Sequence, residues 1–87
     1  MSDKPERDPE DIRVGATIKA LREAHGLTAV ELGRAVGKSE QLIHAVENGS
    51  RHATPQVCRR IVDTLGIPLA AITVANYEEI RDGERVA

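Results

Sequence analysis

The near absence of aromatic side chains is the tightest constraint on what this chain can become. Its 87 residues include no Trp and no Phe, and Tyr77 is its single Tyr. An apolar fraction of 40% is enough for a folded domain, but the core has to be assembled from Ala, Val, Ile and Leu. Those side chains suit closely packed short helices better than a sandwich or a barrel. The length allows one domain of four or five such helices. No apolar run approaches the roughly 20 residues of a membrane span, and the N-terminus is charged rather than signal-like. One cysteine, Cys58, excludes an internal disulfide framework and a multi-cysteine zinc site. These features together read as a soluble, cytoplasmic all-α protein.

Punctuation along the chain divides it into helices. Residues 1–10 hold two prolines and mixed charges without apolar periodicity, which predicts a flexible charged arm. From Asp11, Val14, Ile18 and Leu21 recur at helical spacing until Gly26 stops the helix. Thr28-Ala29-Val30-Glu31 is a capping box, with Leu27 and Leu32 placed as a hydrophobic staple. A second helix therefore runs from Ala29 to about Val36, closed by Gly37. Ser39 caps a third helix whose Leu42, Ile43 and Val46 face inward, and Asn48-Gly49 ends it. Thr54-Pro55 starts a fourth helix carrying Val57, Ile61, Val62 and Leu65 on one side and ending at Gly66. Ile67-Pro68 opens a fifth through Leu69, Ile72 and Tyr77. The expected layout is an arm over 1–10, an all-α domain over 11–80 and a frayed charged tail over 81–87.

The net charge of −2 is unevenly spread. Residues 1–12 carry −3 and residues 61–87 carry −3, whereas residues 13–60 carry eight bases against four acids, or +4. A positive middle between acidic ends suits a protein that offers one face to a polyanion. The alternative is a solvated surface with charges scattered by chance.

Residues 27–49 combine a capped helix, the short turn Gly37-Lys38-Ser39 and a second capped helix. Glycine in the turn allows positive φ, so the two helices can cross steeply. Here Thr28, Leu32, Gly37, Ser39, Ile43, Glu47, Asn48 and Gly49 resemble the phage-repressor-like helix-turn-helix family, the Cro/CI or XRE type. The likeness begins at Val14-Gly15, runs through Ile18, Leu21-Arg22 and Gly26-Leu27, and continues into Pro55, Ile61, Leu65-Gly66 and Ile72. It covers about residues 13–74 and implies a lambda-repressor-like fold of five short helices.

The resemblance also implies roles. The helix from Ser39 to Asn48 would lie in the DNA major groove, with Glu40, Gln41, His44 and Ala45 at base-contacting positions. Gln41 has the amide to pair with adenine N6 and N7, and His44 can donate to guanine or to a phosphate. Glu40 either accepts from a cytosine amino group or simply complements the helix dipole; the alternative for Gln41 is an ordinary solvent-facing residue. Phosphate contacts would fall on Thr28, Ala29, Lys38, Ser39, Asn48, Ser50 and Arg51, several through backbone amides. Arg22 and Glu47 occupy positions that the family pairs across the domain, fixing the reader helix and leaving room for a guanidinium edge to meet phosphate. Otherwise they are two unrelated surface charges. The chain departs from the family pattern at three positions. Ala29 stands where Gln is usual and cannot brace a phosphate contact. Gly33 stands for Ala, at about 1 kcal/mol of helix propensity. Lys38 replaces an apolar turn residue and must point outward.

Other chemistry is thin. His25, His44 and His52 have no metal-ligand spacing with Cys58, which reads as a small core residue. No phosphate loop or paired carboxylate motif is present, so neither an enzyme nor a cofactor or metal is expected. The expected function is sequence-specific binding of double-stranded DNA, as a homodimeric transcriptional regulator acting by promoter occupancy. Ile67, Leu69, Ile72, Val74 and Tyr77 offer the dimer interface, unless they simply close the monomer core. The alternative function is an antitoxin or a protein-interaction module on the same scaffold, with a toxin or another regulator as partner and weak DNA binding.

Overall fold

A computed structural model describes residues 7–73. It contains five helices: α1 (Pro9–Ala24), α2 (Ala29–Val36), α3 (Glu40–Glu47), α4 (Pro55–Leu65) and α5 (Ala70–Thr73). No strand occurs among the described residues. The second, third and fourth helices begin and end where their capping residues place them. Thr28 Oγ1 accepts from the Glu31 amide at 3.0 Å while Glu31 Oε1 accepts from the Thr28 amide at 2.8 Å. Ser39 and Thr54 accept from the amides of Leu42 and Val57. Gly37 closes α2 at φ 75°, in the left-handed region that lets the chain turn sharply into α3.

The first helix starts earlier than its apolar pattern. Asp8 is the N-cap, its side chain accepting from the Glu10 amide at 2.7 Å, and Pro9 occupies the first turn. Asp-Pro is a helix start in its own right, but the turn it begins is polar and leaves no mark in the apolar periodicity. Part of the stretch expected as an arm is therefore helix. Asp11 Oδ1 then meets His52 Nδ1 at 2.8 Å, which ties this start to the loop before α4. The expected tail over 81–87 lies outside the described residues, as do Val74 and Tyr77.

The core is aliphatic. Ile18, Leu32, Val36, Ile43, Ile61 and Ile72, drawn from all five helices, are each 1% exposed or less. Burial of such a side chain stabilises a fold by about 1.5–3 kcal/mol. Ile72, expected at a dimer surface, instead closes this core, and Ile67 and Leu69 pack partly buried against it. Arg60 reaches from α4 to donate to the Val36 carbonyl at 3.1 Å, satisfying an acceptor at the end of α2.

Two glycines set how closely the helices approach. A Cβ on Gly15 would stand 2.1 Å from the Val46 carbonyl oxygen and 2.7 Å from that of Glu47. The middle of α1 thus lies directly on the backbone at the end of α3. A Cβ on Gly33 would stand 2.6 Å from the Lys38 carbonyl oxygen, and Lys38 N donates back to the Gly33 carbonyl at 2.8 Å. The interhelical turn folds against α2 at that point, which is why Gly33 outweighs its low helix propensity.

Candidate nucleic-acid interface

The site grows from the two faces of α3. Ile43, Val46 and Glu47 are buried, Leu42 and Ala45 are half-buried, and Glu40, Gln41 and His44 are exposed. Helical spacing produces most of this division: positions 43, 46 and 47 share one stripe and positions 41 and 44 lie away from it, while Glu40 is exposed because it starts the helix. The structure brings Glu40, Gln41 and His44 together on one outward surface and places Ala45 at its margin.

A buried ion pair holds this helix. Arg22 and Glu47 are only 8% and 7% exposed. Arg22 Nε donates to Glu47 Oε2 at 2.6 Å and Nη2 to Glu47 Oε1 at 3.1 Å, a two-point clamp between α1 and the end of α3. Nη1 donates to the Leu27 carbonyl at 2.8 Å. Three of the five guanidinium N–H groups are thereby engaged, one on each nitrogen, and at 8% exposure little of the edge expected to face phosphate reaches the surface. The hydrogen bond that Arg22 donates to Glu47 raises the Arg22 pKa above its ordinary value, burial opposes that rise, and the nearby carboxylate charge adds to it.

On the exposed face the candidate readers also touch each other. His44 Nε2 lies 3.3 Å from Glu40 Oε2, one turn apart on α3. Gln41 is exposed and has no side-chain partner among the described residues.

Several amides expected to hold phosphates are already engaged. The Thr28 amide is held by Glu31, leaving those of Ala29 and Val30 as the donors at the start of α2. Ala29 as a whole is only 5% exposed, and its methyl group can make no polar contact, so any part it plays is through its backbone. After α3, the Ser50 amide donates to Asn48 Oδ1 at 2.9 Å and to the Ala45 carbonyl at 3.0 Å, and the Arg51 amide also donates to that carbonyl. Ser50 Oγ donates there too. What this loop can offer is side-chain chemistry: the Asn48 NH2 group and the exposed Arg51 guanidinium. Lys38 is exposed, clear of the turn interior, and Ser39 caps α3 beside it.

Residue patterns missed Lys19. It stands three residues before Arg22 on α1, and with His44, Glu47 and Asn48 it lines a niche of about 150 Å³ beside α3. That three-residue spacing was the available signal. Elsewhere, burial pushes the Cys58 thiol above its ordinary range, and its Sγ faces the Ala53 carbonyl at 3.7 Å. Among the described residues no cluster of His, Cys, Asp or Glu could hold a metal ion, and no helix is long and apolar enough to cross a membrane.

A short capped helix, a glycine turn and a clamped second helix with an exposed polar stripe, set on an aliphatic five-helix core, define a helix-turn-helix domain. The model of the family described as "Helix-turn-helix domain" matches residues 13–73, and the chain belongs to that family. No curated protein matches its sequence. Among solved structures, it is similar to the restriction-modification controller protein C.AhdI from Aeromonas hydrophila, at 22% identity and TM-score 0.72 over 75% of this chain and 98% of that one. It is similar to the clp gene regulator ClgR from C. glutamicum, at 21% identity and TM-score 0.73 over 83% and 92% of the two chains. A hypothetical transcription factor, NHTF from Neisseria, aligns at 17% identity and TM-score 0.72 over 92% and 95%. At these identities the three share its fold.

Proposed function

We propose that this protein is a transcriptional regulator that binds duplex DNA in a sequence-dependent way, with α3 in the major groove, and represses by occupying promoter DNA in the cytoplasm. One observation carries this reading: Glu40, Gln41 and His44 form an exposed polar stripe on a helix whose opposite face is locked by the buried Arg22–Glu47 clamp. A groove reader needs side chains free to meet base edges and a backbone that cannot swivel. Gln41 is the main specificity residue, while Arg51, Lys38 and the amides of Ala29 and Val30 meet the backbone. One reader helix spans only a few base pairs, so the working form on DNA is a homodimer on two half-sites.

Selection of bound sequences from a random duplex pool tests this. The expected result is an enriched motif with two related half-sites about one helical turn apart. Recovery of no duplex even at low salt would overturn the DNA reading and favour a protein-interaction scaffold, such as an antitoxin carried with its toxin.

A further inference from the structure

The niche beside the reader belongs to two helices. Lys19 comes from α1, and His44, Glu47 and Asn48 from α3 and its C-terminal cap. Its chemistry is that of an anion seat. Lys19 is exposed and has no ion pair among the described residues. Asn48 Oδ1 is committed to the Ser50 amide, which leaves its NH2 group as the donor. His44 has one ring nitrogen against Glu40, and the other is open to a ligand. Glu47 is the single carboxylate in the lining, and its two oxygens both accept from Arg22. Its charge is thereby balanced within the core, and Lys19 supplies the uncompensated charge of the niche.

Resting on the reading of α3 as the groove helix, we propose that Lys19, Asn48 and His44 form the seat of one DNA backbone phosphate, so that α1 touches the duplex directly. His44 lies at the boundary between this seat and the base-reading stripe. A phosphate held here sets how deeply α3 enters the groove, and Gly15 makes the arrangement stiff because α1 lies on the α3 backbone without an intervening side chain. The seat does not read sequence. It contributes to all duplexes alike, as backbone contacts do.

The test uses the full chain and the duplex recovered by selection. Lys19→Met is expected to bind both that duplex and random duplex more weakly, with the salt slope of log K reduced by about 0.9 because one phosphate is no longer neutralised. Lys19→Arg should restore the slope. A set of duplexes, each with one neutral methylphosphonate, then locates the phosphate. One position should weaken the wild type but leave Lys19→Met unaffected, because the two lesions remove the same interaction. Thermal unfolding checks that the exposed substitution leaves the fold intact. If duplex binding persists with an unchanged salt slope in Lys19→Met, or if every methylphosphonate penalises both proteins equally, the seat is wrong while the groove reading stands. If no duplex binds the wild type, both fall together.

Discussion

Burying two full charges is expensive in any fold, and the Arg22–Glu47 pair survives because each guanidinium nitrogen and both carboxylate oxygens have partners. Removing one member strands the other at under one tenth exposure. Arg22→Ala and Glu47→Ala should each lower unfolding stability by about 3 kcal/mol, and the double change to apolar residues should cost less than the sum, as urea titrations of the three variants will show. The sign with pH follows from the raised Arg22 pKa. A cation stabilised in the folded state contributes fully below its unfolded pKa and loses that contribution only as pH rises through the folded one. The wild-type advantage over Arg22→Ala should therefore be equal at about pH 7 and about pH 10, and a gap that shrank toward the higher pH would contradict it. On the exposed face, Gln41→Ala should cost about 1–3 kcal/mol on the selected duplex and little on random DNA. Arg51→Ala should weaken both alike. Equal losses on both duplexes for Gln41→Ala, in fluorescence titrations, would overturn the proposed placement of α3 in the groove.

At the scale of helices, local chemistry and close approach make separate contributions. The capping box at Thr28, the cap at Ser39 and the Thr54-Pro55 start are decided within four residues, and the structure forms all three. Gly15 and Gly33 are different. Alanine at Gly33 would gain about 1 kcal/mol in helix propensity, yet its Cβ meets the Lys38 carbonyl at 2.6 Å. Overpacking against a backbone atom costs about 1–3 kcal/mol, so the clash wins. Gly33→Ala should be destabilising on balance. Gly15→Ala, at 2.1 Å from the Val46 carbonyl, should be worse, because α1 and α3 would have to separate. Urea midpoints for the two variants check the order, and a stabilised Gly33→Ala would show that the turn yields easily.

For the whole molecule, the bare count of positive charge in residues 13–60 overstates what faces DNA. Arg22 is held by Glu47, Arg60 by the Val36 carbonyl and Arg13 by Glu10. Lys19, Arg34, Lys38, Arg51 and Arg59 remain exposed. A handful of phosphate contacts should still give a steep fall in affinity with salt, tenfold or more between about 50 and 200 mM. The proposed dimer has less apolar surface to draw on than the residue types of the fifth helix imply, since Ile72 is inside the monomer core. Association should therefore be weak in free protein and strengthened on DNA, where two half-sites hold the copies together. Sedimentation with and without the selected duplex measures this, and one copy bound to an asymmetric site would reject it.

What the sequence by itself determined is local. The aliphatic core, the second, third and fourth helices with their ends, and the polar stripe of α3 follow from caps, glycine stops and a 3.6-residue period, all of which act within a few positions along the chain. The start of α1 escaped this reading because a polar first turn carries no apolar signal. The Arg22–Glu47 pair is implied by the family resemblance rather than by caps or periodicity, and tertiary structure decided its burial and the other long-range contacts. Glu47 lies 25 residues from Arg22, Arg60 lies 24 from Val36, and the Ser50 and Arg51 amides are claimed by Ala45 only once the loop has folded back. It also decided that Gly15 lies on the α3 backbone and that Lys19 joins His44 and Asn48 around one niche. The physical reason is that hydrogen bonds and steric contacts act over a few ångströms of space, and the crossing of α1 over α3 sets those distances between residues far apart in the chain.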